Sequence, residues 1–140
     1  MKLKKILIST IAVVLILISV YYGYMYYNGP KIIEGVVSKN IDDNGKPVDI
    51  TTEFSPEDTV YFSAKGNRFW IKKAQVVWYE GKIRTENRFL VEDDIVLNNA
   101  GYFSTELSVP EGLEEGNYSV SIYVAGKDII ETSTEFDVKE

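Results

Sequence analysis

The chain has 140 residues with no Cys and no His, which removes thiolate nucleophiles, disulfides, thiolate metal sites and imidazole acid–base chemistry together. Its formal charge of −6 conceals an asymmetry: Lys2, Lys4 and Lys5 precede a long apolar run, and the remainder sets 12 Lys+Arg against 21 Asp+Glu, a balance of −9. A domain that acidic is a poor partner for nucleic acid, whose phosphates need a basic surface, and flat docking of the whole domain onto anionic lipid is disfavoured for the same reason.

No charged residue occurs between Ile6 and Pro30. Residues 6–27 predict a transmembrane helix, because about 20 apolar residues span a hydrocarbon core of about 30 Å. The Lys cluster predicts a cytoplasmic tail at residues 1–5 and an extracytoplasmic C-terminal part, hence a single-pass protein of the cell membrane. Tyr21, Tyr22, Tyr24, Tyr26 and Tyr27 crowd the far end of the run. Tyrosine suits the headgroup boundary, where the ring is buried and the hydroxyl is wet. A cleaved signal peptide and a buried soluble helix are the competing readings. Cleavage needs a short apolar core and a small-x-small site, but the core is long and the spacing of Ser19 and Gly23 does not give that pattern. The run also lacks the Gly-aromatic-x-x-x-Glu start of processed type IV pilins, and no Cys exists to accept lipid.

Asn28-Gly29-Pro30 breaks the helix and is the whole linker, since Gly and Pro together make continuation costly. Residues 31–140 then predict one extracytoplasmic domain of about 110 residues, large enough to be held by its core alone. No sustained helical period follows; alternating runs are separated by turn residues. Residues 32–38 predict a first strand. After the turn at 42–47, Val48, Ile50, Thr52 and Phe54 alternate with Asp49, Thr51 and Glu53, predicting one strand with the first set inward. Val60, Phe62 and Ala64 form the next inward set. Around Ala74, Val76 and Trp78 both faces are apolar, as in a central strand, and Glu80-Gly81-Lys82 predicts a tight hairpin. Residues 83–99 predict one or two short strands. Phe103, Thr105, Leu107 and Val109 then alternate, as do Tyr118, Val120, Ile122 and Val124. A hairpin turn at Ala125-Gly126-Lys127 leads to a last strand with Thr132, Thr134, Phe136 and Val138 inward. The expected core contains Phe62, Val76, Trp78, Leu107, Tyr118, Val120, Ile122 and Phe136.

Seven or eight such strands in about 110 residues predict an all-β fold, a two-sheet sandwich or small barrel. Trp78 in mid-strand, Tyr118 opening a late strand and the final hairpin favour an immunoglobulin-like antiparallel sandwich preceded by the transmembrane helix. The stretches FSPEDTVY at 54–61, VVWYEGK at 76–82 and GLEEGNYSVSIYVAGK at 112–127 resemble bacterial surface modules of immunoglobulin-like or fibronectin-type-III-like type. The resemblance spans most of residues 31–140. Its motifs are structural, so it implies the fold and carries over no catalytic residue.

The segment 65–73, KGNRFWIKK, sets four cations around two large aromatics. Arg68, Phe69, Trp70, Lys72 and Lys73 are the candidate binding residues, with Trp70 as anchor, because Trp and Arg are favoured at tight contacts. Stacked aromatics with cations would also suit an anionic polymer. The structural alternative is that Phe69 and Trp70 cap the core while the cations form a solvated face. The acidic runs Asp42-Asp43-Asn44-Gly45 and Glu92-Asp93-Asp94 carry oxygen ligands of the kind Ca²⁺ takes, but neither completes a calcium-loop pattern. No nucleophile elbow, phosphate loop or metal-ligand cluster appears. The sequence therefore predicts a non-enzymatic chain with no cofactor, bound to the membrane through its helix. Its partner is expected to be a protein or an anionic envelope polymer. The alternative is an accessory subunit that docks through the helix itself.

Overall fold

The computed structural model describes residues 1–140, and the chain divides into two compact units, Met1–Pro30 and Lys31–Glu140. The first unit is a single helix, α1 (Lys2–Asn28), none of whose residues is buried. It is apolar on every side, as a helix in a lipid solvent is, and is long and apolar enough to cross a membrane. Length and composition of this kind suit a permanent anchor and a leader alike. Two of its hydroxyls are satisfied within the helix: Thr10 donates to the Ile6 carbonyl at 2.9 Å and Ser19 to the Leu15 carbonyl at 2.8 Å. The helix starts before the predicted residue 6 because Lys2, Lys4 and Lys5 are themselves good helix formers. It runs one residue into the expected linker and ends at Asn28, whose amide donates to the Tyr24 carbonyl at 2.9 Å.

The second unit holds nine strands: β1 (Ile32–Ile41), β2 (Pro47–Ile50), β3 (Glu53–Phe54), β4 (Val60–Gly66), β5 (Lys73–Glu80), β6 (Arg88–Val96), β7 (Tyr102–Leu107), β8 (Gly116–Val124) and β9 (Ile130–Val138). They form two sheets, ordered β2-β1-β4-β7 and β3-β9-β8-β5-β6. All neighbours are antiparallel except β3 and β9. The alternating residues of both sheets meet in one core, and all eight of the expected core residues are buried. Phe136 is its hub. It stacks on Tyr118 at 5.4 Å and meets Trp78 and Phe54 edge-on at 6.1 Å and 5.5 Å. The Trp78 indole N–H donates to Glu92 Oε1 at 3.1 Å. The other carboxylate oxygen of Glu92 accepts the Thr105 hydroxyl. One side chain thus joins the edge strands β6 and β7 across the gap between the sheets.

Two predicted stretches are corrected. Residues 48–54 do not form one inward-alternating strand: Val48 and Ile50 are exposed and only Phe54 is buried. The chain changes sheets here, with β2 pairing β1 and β3 pairing β9, so the alternation refers to two different surfaces. Likewise Glu80-Gly81-Lys82 is not a tight hairpin. Residues 81–87 form a longer connection that contains a single 3₁₀ turn (Thr85–Asn87), and residues 88–96 are one strand, β6. Ile83 of that connection packs against a second small cluster, Val77, Tyr79 and Tyr123. The Tyr79 hydroxyl lies 3.0 Å from Ser121 Oγ and 3.1 Å from the Tyr123 hydroxyl. Burial, then the hydrogen bond to Tyr79, raises the Tyr123 pKa.

Strand direction gives the domain two ends. At the Lys31 end, residues 67–72, 97–101 and 125–129 gather around the start of β1. The Asn67 N–H donates to the Lys31 carbonyl at 2.9 Å, Gly66 to Gly101 at 3.0 Å, Leu97 to Lys72 at 2.9 Å and Ala125 to Lys73 at 3.1 Å. At the Tyr118 end, Leu113 N–H donates to Pro56 at 2.8 Å, Gly81 to Asn117 at 2.7 Å and Lys139 to Phe54 at 2.9 Å.

Candidate functional site

The segment 65–73 leaves β4, makes one turn and enters β5. The Ile71 N–H donates to the Arg68 carbonyl at 3.2 Å, which closes a β-turn and throws the two aromatics to different sides. Phe69 is 78% exposed. Trp70 is half-buried against the main core, next to the buried Ile71. Their rings meet edge-on at 5.0 Å and 89°. Trp70 therefore caps this end of the core, and the aromatic that protrudes is Phe69.

The cations of the segment are distributed around that turn. Lys65 pairs with Glu34 at 3.3 Å and lies over the Tyr102 ring at 5.9 Å. The Arg68 guanidinium donates to the Asn67 carbonyl at 2.7 Å. Lys72 is exposed, and Lys73 is exposed with Asp94 at 3.9 Å. Pairs this open to water hold little stability, and the Lys65, Lys72 and Lys73 side chains stay in contact with solvent. Two neighbours extend the site beyond the predicted segment. The β8–β9 connection brings the exposed Lys127 and Ile129, the latter 71% exposed, and the end of β6 brings Val96, 61% exposed. Nothing in their local sequence relates them to residues 65–73. Only the pairing of Lys73 with Val96 and of Ala74 with Val124 does.

The two acidic runs go to separate partners. Asp42 Oδ1 accepts the N–H groups of Asn44 and Lys46 at 2.8 Å and 3.0 Å, a side-chain-supported turn. Gly45 completes it at φ +79, where an added Cβ would lie 2.7 Å from Asn98 Nδ2. In the second run Glu92 serves Trp78 and Thr105, Asp93 accepts from Gln75 Nε2 at 2.6 Å and Asp94 faces Lys73. These carboxylates do not converge on one point.

At the Tyr118 end, the Tyr118 hydroxyl donates to the Glu114 carbonyl at 2.6 Å. Burial first, then the charges of Glu80 and Glu114, raises its pKa. A shallow cleft beside it is lined by Glu80, Phe89, Val109, Leu113 and Glu114.

No protein-family model matches the chain, and no curated protein matches it. Among solved structures, the soluble domain of PmoD from Methylocystis sp. (Rockwell) aligns with a TM-score of 0.47 and 11% identity over 77% of this chain and 90% of that one. The Pseudomonas fluorescens alkylpurine DNA glycosylase AlkC aligns with a TM-score of 0.38 and 12% identity over 79% of this chain, which spans only 30% of that enzyme.

Proposed function

We propose that this chain is a non-catalytic binding or assembly module, held on the cell membrane by α1, with an immunoglobulin-like domain outside. Support for the fold comes from the Tyr118 end. A tyrosine at the start of the penultimate strand donates its hydroxyl to a backbone carbonyl four residues upstream, the arrangement of a tyrosine corner. The buried Trp78 lies on β5, flanked by β8 and β6, where such sandwiches carry their core tryptophan. The missing B–F disulfide sets it apart from antibody domains.

The observation that carries the functional reading is the juxtaposition in the chain of a helix with no buried residue and, three residues on, a folded acidic domain. The Lys cluster before the helix assigns residues 1–5 to the cytoplasm. Protease added to intact cells is expected to remove residues 31–140; their survival until the membrane is broken overturns this topology. The domain-based and helix-based forms of the reading separate in a capture experiment from detergent extract. The full chain is compared with one whose α1 is exchanged for an unrelated apolar helix. A partner retained after the exchange supports binding by the domain. A partner lost with α1 makes the chain an accessory subunit that docks through its helix.

A further inference from the structure

We infer that the Lys31 end of the domain is a seat for anionic phospholipid headgroups of the bilayer that α1 crosses, an inference that rests on the anchored reading above. Phe69, Ile129 and Val96 stand 78%, 71% and 61% exposed, with Ile50 on β2 equal to Val96. All three are brought to this one end by strand pairing. They come from a turn, a strand end and a second connection, and the same segments carry the exposed Lys72, Lys73 and Lys127. A protein-binding surface concentrates its apolar area at the centre and depletes charge there. Apolar tips interleaved with lysines instead suit the membrane interface, where the tips enter the headgroup boundary and the ammonium groups meet phosphates.

Chain continuity selects lipid as the occupant. Residues 29–31 are all that separates α1 from β1, and three residues reach at most about 11 Å. Charge distribution supplies the orientation. The segments at the Lys31 end (residue 31 and residues 65–73, 96–102 and 125–131) hold six Lys or Arg against Asp128 and Glu131, with Glu34 on Lys65, Asp94 on Lys73 and the Asp42–Lys46 turn held by Asn98 bringing further carboxylates beside them. Those at the opposite end (residues 53–59, 80–87, 110–117 and 135–140) hold eleven carboxylates against three cations. A negative lipid surface repels the second far more than the first, so the Lys31 end is the end of the domain that such a surface admits.

The native chain has no Cys, so single spin labels test this in the full-length protein. Phe69→Cys, Ile129→Cys, Glu111→Cys and Val13→Cys are each labelled and reconstituted into nanodiscs of phosphatidylcholine with phosphatidylglycerol, and of phosphatidylcholine alone. Collision with a water-soluble nickel chelate is measured against collision with oxygen. In the anionic discs the labels at 69 and 129 are expected to be several-fold less accessible to nickel than the label at 111. Adding Lys72→Glu, Lys73→Glu and Lys127→Glu is expected to restore access. Labels at 69 and 129 as wet as the label at 111, with the label at 13 in hydrocarbon, overturn the seat and leave the anchor standing. A wet label at 13 overturns the anchor itself. Equal shielding in phosphatidylcholine alone overturns the anionic assignment, and shielding that appears only when membrane proteins are added assigns the surface to a protein partner.

Discussion

The two ends of the domain are closed by the same strands in different ways. At the Tyr118 end the apolar side chains turn inward: Phe54, Leu113, Tyr118 and Phe136 are all buried, and the Tyr118 hydroxyl ties the connection before β8 to the core. What is left outside is mainly carboxylate, with Lys82, Arg84, Lys139 and the part-exposed Phe89 among it. At the Lys31 end Trp70, Ile71 and Leu97 pack on the core, and Phe69, Val96 and Ile129 stay exposed. An end that needs only part of its apolar side chains for closure frees the rest for contact. Closure of the core and exposure to solvent thus fall to different side chains at this end.

The sharpest way to break that contrast is to remove the hub of the closed end. Phe136→Ala takes away ring contacts to Phe54, Trp78 and Tyr118 and is expected to cost about 3–5 kcal/mol in denaturant unfolding. A loss below about 1 kcal/mol, as for a surface site, would mean the rings do not share a packed core.

A smaller effect is expected at the corner. Tyr118→Phe keeps the ring and loses one hydrogen bond, worth about 1 kcal/mol. Because the folded pKa of Tyr118 is raised above its ordinary value of 10.0, the folded state favours the neutral hydroxyl. That contribution is fully present below about pH 10 and is lost as pH rises through the folded value. Stability measured across this alkaline window should fall for the native chain and fall less for the Phe variant. The raised Tyr123 pKa acts in the same direction, so some slope should remain.

The smallest effect is expected at the protruding tip. Phe69→Ala should change stability by less than about 0.5 kcal/mol. Trp70→Ala, one residue on, should cost clearly more, since it removes packing on the core. Equal losses in the same unfolding assay would erase the distinction between cap and tip.

The sequence by itself determined the charge-free helix, the strands with their inward sets, and the cationic aromatic segment at 65–73. Each is a local property, set by composition or by a period of two along one strand. The same reasoning could not tell which of two adjacent aromatics, Phe69 or Trp70, faces the core, because a turn does not alternate sides as a strand does. It also missed the change of sheet between Ile50 and Glu53, since alternation marks opposite faces without naming the sheet that covers them. Only the tertiary structure decided that Glu92 joins the sheets through Trp78 and Thr105, and that Ile83 covers an outer cluster. It alone gathered Phe69, Val96 and Ile129 at one end. Those residues come from two connections and a strand end far apart in the chain, and strand pairing, which sets where distant segments meet, leaves no trace in the residues of those segments themselves.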